Sequence, residues 1–248
     1  MSKVSLETHD AVAVLRLNNG VTNAIGPELV DDLAGALHQI KREFKGLILA
    51  GGPKFFSIGF DLPALLQLDR SAMSDFYFRF NQTVLDLYTV PLPSACALAG
   101  HAIAGGTILA LTADFRFASS GRKLMGLNEV KIGVPVPYLA DLMLRQIVGD
   151  RAATELNYGG EFVEPEQAQK IGLLDAVYAP EQLDQKAIEK VADLAALPNY
   201  GFNLIKANRG EDIQSKFKEK GSVKMDLFLD CWFNPAVREL LKEAAKKF

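Results

Sequence analysis

A chain of 248 residues, 49% apolar and with a formal net charge of −3, is long enough to bury one large core and too acidic for a typical nucleic-acid binder. It has no run of about 18 apolar residues to cross a membrane and no basic segment followed by an apolar one at its start, so a cytoplasmic location is expected. Cys96 and Cys231 lie far apart among apolar residues and read as buried thiols rather than a disulfide.

In chain order, Val12–Leu17 is apolar except for Arg16 and is expected to form a strand covered on both faces. Asn18-Asn19-Gly20 is a turn. Gly26-Pro27-Glu28 starts a helix, and Leu29, Leu33, Leu37 and Ile40 give it one apolar stripe. Leu47-Ile48-Leu49-Ala50 is a second buried strand, closed by Gly51-Gly52-Pro53. Strand, helix, strand in this order implies parallel pairing through a crossover. Asp61 is placed to cap a helix beginning at Leu62. Residues 71–89 read as a long helix with Phe76, Phe80, Val84 and Leu87 on one side.

Pro93-Ser94-Ala95-Cys96-Ala97-Leu98 has the length of a buried strand, and the apolar run from Thr107 to Leu111 suits a helix. Between them lies Ala99-Gly100-His101-Ala102-Ile103-Ala104-Gly105-Gly106. Glycines at a strand-to-helix handover let another group approach the backbone, and the free N–H groups there favour developing negative charge. The plainer alternative is a tight turn whose glycines serve close packing.

Phe115 to Ala118 and Lys123 to Gly126 are short strand candidates around Ser119-Ser120-Gly121. Leu127-Asn128-Glu129-Val130 follows, then a loop through Pro135 and Pro137, and the pattern is mainly helical from Tyr138 onward. Near the end, Met225, Phe228, Leu229 and Trp232 form one apolar stripe, and Val237, Leu240, Leu241 and Ala244 another. Some fifty residues cannot bury both stripes alone. The expected division is therefore a core over residues 1–198 and a helical region over 199–248 that packs on the core or on a neighbouring subunit.

Several chemistries lack their residues. Phe55-Phe56-Ser57-Ile58-Gly59 lacks the first glycine of a nucleophile elbow, and only three histidines are available as bases. Gly51-Gly52-Pro53-Lys54 is too short for a phosphate-binding loop, and no His, Cys, Asp and Glu cluster has metal spacing. His101 reads as a packing or substrate-lining residue rather than a base. Backbone donors and carboxylates remain.

Three segments together resemble the crotonase, or enoyl-CoA hydratase/isomerase, superfamily: Ser57-Ile58-Gly59-Phe60-Asp61-Leu62, Ala99 through Gly106 with Ala113-Asp114-Phe115-Arg116-Phe117-Ala118 behind it, and Gly126-Leu127-Asn128-Glu129-Val130-Lys131-Ile132-Gly133. Val21-Thr22-Asn23-Ala24 and Gly172-Leu173-Leu174-Asp175 fit as flanking regions, so the resemblance covers nearly the whole chain. It implies an α/β fold, a spiral of ββα turns with a C-terminal helical trimerisation region. It also implies an acyl-CoA thioester partner, CoA being part of the substrate with no separate cofactor, and a homotrimer or dimer of trimers. Neither nucleic acid nor membrane is an expected partner.

By the same resemblance, the backbone N–H groups of Phe60 and Gly105 form the oxyanion hole and Glu129 is the catalytic acid/base. Asn23 and Ala24 match the CoA-binding region by position, with Lys242, Lys246 and Lys247 as candidates for the phosphates. Ile58, Phe60, Leu62, Leu65, Leu66, Ile108 and Tyr138 are the expected pocket residues. Hydratases of the family hold water between two glutamates, one of them three residues after the glycine matched by Gly105; that position is Ile108 here, which disfavours hydration. A single glutamate suffices to shift a double bond, and the Gly-Leu-Asn-Glu context resembles the mitochondrial-type 3,2-enoyl-CoA isomerases more than the hydratases. Other enolate reactions of the fold, dehalogenation, decarboxylation or thioester hydrolysis using Asp61, Asp141 or Glu164, stay open at this point, as does an acyl-CoA-binding protein without turnover.

Overall fold

The computed structural model describes residues 2–246. The chain opens with β1 (Val4–His9) and β2 (Val12–Leu17), then α1 (Pro27–Glu43), β3 (Gly46–Ala50), β4 (Phe55–Ser57), a single turn α2 (Leu62–Leu65) and α3 (Arg70–Tyr88). Next come β5 (Ser94–Leu98), β6 (His101–Ile103), α4 (Gly105–Leu111), β7 (Phe115–Ser119), β8 (Met125–Gly126) and a 3-10 turn over Glu129–Ile132. The C-terminal part holds α5 (Tyr138–Gly159), α6 (Pro165–Lys170), β9 (Ala176–Tyr178), α7 (Leu183–Ala195), α8 (Asn199–Trp232) and α9 (Pro235–Ala245).

Two sheets result. The larger has the order β1-β2-β3-β5-β7-β9, antiparallel between β1 and β2 and parallel thereafter; the smaller is a parallel trio, β4-β6-β8. The parallel β2–β3 pair meets the crossover expectation, with Val14 opposite Ile48. Alternation along β3 shows why its sequence is apolar throughout. Leu47 and Leu49 enter the main core with α1 and α3, whereas Ile48 and Ala50 face α7 through Leu183, Ala187 and Val191.

Short strands are where sequence and structure differ most. β1 carries Ser5, Glu7 and Thr8 on a sheet edge, so no apolar run marks it. β4, β6 and β9 have three residues each, too few for alternation to be read. The strand expected over 123–126 shrinks to Met125–Gly126, because the Leu124 N–H donates to Nδ1 of His101 instead of extending that strand. His101 thereby serves packing, tilted against Phe55, with burial and then Lys123, Arg122 and Lys54 holding its imidazole below the usual range.

The terminal helices pack on the body of the same chain. Phe228, Leu229, Trp232 and Leu241 are buried in the main core. Asn234 caps α9 by accepting from the Ala236 N–H at 2.9 Å, and Arg238 donates to the Leu66 carbonyl at 2.8 Å, fastening α9 to the end of α2. Among the described residues, no helix is long and apolar enough to cross a membrane.

Candidate active site

Two loops and one turn converge at the C-terminal ends of the small sheet. The first loop follows β4. Ile25 donates to the Gly59 carbonyl at 2.8 Å and accepts from the Asp61 N–H at 3.0 Å, a parallel bridge that turns the Phe60 N–H away from this edge. Residues 22–25 brace the whole loop. The Thr22 carbonyl accepts from Ile58, the Asn23 carbonyl from the Ser57 hydroxyl at 2.7 Å, and the Asn23 amide donates to the carbonyls of Phe55 and Phe56. Asp61 caps α2 through the Ala64 N–H at 3.1 Å.

The second loop runs from β6 into α4. Gly105 is the first residue of that helix, so its N–H has no intrahelical acceptor. The glycines are required by contact. A Cβ on Gly106 would lie 2.3 Å from the Ser57 carbonyl oxygen, and one on Gly59, whose φ is +94°, would lie 3.1 Å from the Gly105 nitrogen. This is close packing and backbone presentation at once, so the two readings of the glycine pair hold together. The strain sits one residue earlier, at Ala104 with φ 48° and ψ −116°. Nothing in the sequence singles out that alanine.

Thr107 ties this loop to the third segment. Its hydroxyl donates to a main-chain acceptor, with the Ala102 and Gly126 carbonyls 2.7 and 3.0 Å away, and accepts from the Gly126 N–H at 2.9 Å. Two residues past Leu127 the 3-10 turn begins, and it points Glu129 inward. Glu129 is 6% exposed, and its Oε2 has no hydrogen-bond partner among the described residues. Burial pushes its carboxyl up to about 7.

These parts line a cavity of about 230 Å³. Of the expected residues, Ile58, Phe60, Leu62, Gly105, Ile108 and Glu129 line it together. Ile103, Ile108, Ile132 and Val134 make its walls apolar, which is the physical cause of the raised carboxyl. Glu129 is the single titratable side chain among the lining residues. The Phe60 ring meets Phe76 and Phe80 edge-on, with centroids 5.3 and 4.9 Å away.

Asn23, Ala24, Leu65, Leu66 and Tyr138 do not line the cavity. Asn23 spends its side chain on bracing the first loop, Leu65 is fully buried in the main core, and Lys224 covers the Tyr138 ring. Lys242 and Lys246 pair with Glu239 and Glu243, and Lys247 lies outside the described residues. The other candidate acids also stand apart: Asp141 binds Arg145 and Glu164 lies near Arg122. Sequence reasoning did not assign Ile103, Ala104, Asn128, Val134 or Pro137 to the pocket, and left Phe228, Trp232 and Ala244 as helix-stripe residues without a place in it. A buried stripe at the end of a chain was the available signal, but not which cavity it would close.

Comparison with known proteins identifies the family and the fold. The family model described as enoyl-CoA hydratase/isomerase matches residues 7–240. Human mitochondrial enoyl-CoA delta isomerase 1 is 30% identical over 200 residues, which cover 79% of this chain and 66%, just under two thirds, of the human protein. The crystal structure of human mitochondrial delta3-delta2-enoyl-CoA isomerase superposes with a TM-score of 0.95 at 25% identity, covering 99% of this chain and 97% of that one. A probable enoyl-CoA hydratase from Mycobacterium tuberculosis gives a TM-score of 0.86 at 25% identity, covering 94% and 100%.

Proposed function

The chain belongs to the enoyl-CoA hydratase/isomerase family, and from that premise we propose that it moves the double bond of a 3-enoyl-CoA thioester to the 2 position with Glu129 as the only acid/base. The thioester carbonyl oxygen sits between the N–H groups of Phe60 and Gly105. The Glu129 carboxylate removes a proton from the α carbon, the electron pair of that C–H bond delocalises into a dienolate, and the two N–H groups carry the charge on oxygen. The same carboxyl then returns the proton to the γ carbon, leaving the double bond between the α and β carbons. No atom is gained or lost, and no separate cofactor is needed.

One observation carries this reading. Among the described residues the cavity is lined by a single buried carboxyl of raised proton affinity, together with the aliphatic Ile108 where a water-holding acid would be required for hydration. A carboxyl that titrates near neutrality is suited to act first as base and then as acid. The named isomerase relatives support it further. A homotrimer or dimer of trimers, CoA phosphates near residues 23 and 24, and a cytoplasmic location complete the proposal.

The test is turnover of 3-hexenoyl-CoA to 2-hexenoyl-CoA, with hydration of 2-hexenoyl-CoA followed alongside. The expected outcome is isomerisation with little hydration, and a fall of roughly 10²–10⁴ in kcat in Glu129→Gln. A folded wild type that binds acyl-CoA and isomerises nothing would sink the proposal.

A further inference from the structure

Resting on the acyl-CoA reading above, we propose that Trp232, backed by Phe228, sets the length limit of the acyl group and makes this protein selective for short chains. The reacting end of the cavity is fixed by Phe60, Gly105 and Glu129. Phe228 and Trp232 from the last turns of α8, with Ala244 from α9, close it with side chains from the C-terminal helices.

That closure is rigid. Trp232 is 1% exposed, and its ring packs near-parallel to Phe228 with centroids 6.1 Å apart. Phe228 in turn stacks on Tyr77 of α3 at 4.0 Å, and Tyr77 is itself buried. The indole is thus held by an aromatic column that reaches into the main core. A buried tryptophan usually gives its N–H a partner, but Nε1 has none among the described residues, and packing against Phe228 holds the ring. Arg238 ties the helix that follows to the Leu66 carbonyl, and Leu241 is buried in the main core, which holds α9 against the cavity.

Volume gives the consequence. About 230 Å³ lies below the roughly 300–1,000 Å³ common for sites that enclose drug-sized ligands. Each methylene that finds apolar burial strengthens binding about fourfold. A chain that outgrows the cavity forfeits that gain and must also displace a buried indole that is backed by Phe228. Replacing the indole by a smaller apolar side chain opens room for several methylenes at the closed end.

The experiment measures kcat/KM for 3-hexenoyl-CoA and 3-dodecenoyl-CoA with wild type and Trp232→Leu. Calorimetric affinities for saturated hexanoyl-CoA and dodecanoyl-CoA, which need no turnover, are taken in parallel. The expected result is preference for six carbons in the wild type and a shift of at least about tenfold toward twelve in the variant, in turnover and in binding alike. Isomerisation of hexenoyl-CoA with a length ratio that Trp232→Leu leaves unmoved would overturn the assignment while the isomerase reading stands. A shifted binding ratio without isomerisation would keep the assignment and sink the isomerase reading. Should Trp232→Leu not fold, Ala244→Leu adds bulk to the same cavity. It is expected to weaken hexanoyl-CoA against butanoyl-CoA by about tenfold, and an unchanged ratio there counts against the proposal.

Discussion

The two sides of this molecule follow different rules. Beneath α7, Val12, Val14, Ile48, Ala50, Ala95 and Ala97 meet Leu183, Ala187 and Val191 in a buried apolar layer, with Arg16 and Asp184 paired at its rim. Around the cavity, by contrast, Ala104 is held at a positive φ, and Glu129 and Trp232 each bury a polar atom without a partner among the described residues. The first layer is what hydrophobic burial alone selects. The second keeps features that cost stability, and such features concentrate where a structure must hold a reactive group in readiness. The contrast becomes a thermodynamic claim: substitutions on the α7 side lose stability alone, whereas at the cavity stability and activity move in opposite directions.

Glu129→Gln gives the largest expected effect. Beyond the loss of turnover, the variant should be the more stable protein above neutral pH. The ordinary carboxyl titrates at 4.5, and in the folded protein it is pushed up to about 7. Below pH 4.5 the group is neutral whether folded or unfolded, so it costs nothing. Between 4.5 and 7 the folded protein holds a proton that the unfolded chain has released, and stability falls as pH rises. Above 7 the cost levels off at about 3 kcal/mol, the gap between the two values at about 1.4 kcal/mol per decade. Denaturant unfolding at pH 4 and pH 8 should therefore show the variant gaining only at pH 8. The kcat/KM of the wild type should rise with pH and flatten above about 7, because the carboxylate is the form that takes the first proton. A pH-independent difference in stability would break the claim at its strongest point.

Leu183→Ala is the matched change on the quiet side. It removes a side chain of α7 that is 1% exposed against the sheet, at an expected cost of about 3 kcal/mol. That cost should be the same at pH 5 and pH 8, and kcat should stay at the wild-type value. Loss of kcat in step with stability would show that the two sides are coupled.

Thr107→Val tests the border between them. Its hydroxyl meets the Ala102 and Gly126 carbonyls and accepts the Gly126 N–H, all inside the core. Valine keeps the shape and takes the acceptor from the Gly126 N–H and the donor from the Ala102 carbonyl, while the Gly126 carbonyl keeps the Ala104 N–H, at about 2 kcal/mol. Because this bond network joins the Gly105 loop to the segment that carries Glu129, kcat should also fall, by roughly tenfold for a displacement of a fraction of an ångström.

How much of this was legible beforehand follows from what each feature requires. The stripe of Leu29, Leu33, Leu37 and Ile40 and the run Leu47 to Ala50 could be read because burial imposes a period on side chains. The converging motifs with Phe60, Gly105 and Glu129 could be read because each needs particular residues in short order. The distal wall could not. Trp232 meets the cavity only through the path of a 34-residue helix back across the core, and no local pattern encodes where such a helix ends up. Asn23 shows what a match by position leaves out, since its buried side chain braces the neighbouring loop, a role that no residue pattern announces. Ala104 was hidden because strain resides in dihedral angles and leaves no mark on residue type.

Ala104 also supplies the smallest and most discriminating test. Its φ of 48° and ψ of −116° lie outside the regions open to an L side chain, at a cost of roughly 1–3 kcal/mol. Glycine adopts these angles freely but gives the unfolded chain more freedom, returning about 0.5–1 kcal/mol of that relief. Ala104→Gly should therefore gain about 1 kcal/mol, visible as a rise of a few degrees in Tm. Its effect on catalysis separates two uses of strain. If the alanine merely tolerates the turn, kcat is untouched. If the methyl group stiffens the peptide that presents the Gly105 N–H, the more stable variant turns over a few-fold more slowly. The second outcome is the one expected here, because the Ala104 N–H is anchored on the Gly126 carbonyl at 2.8 Å and the strained torsion lies directly between that anchor and the donor.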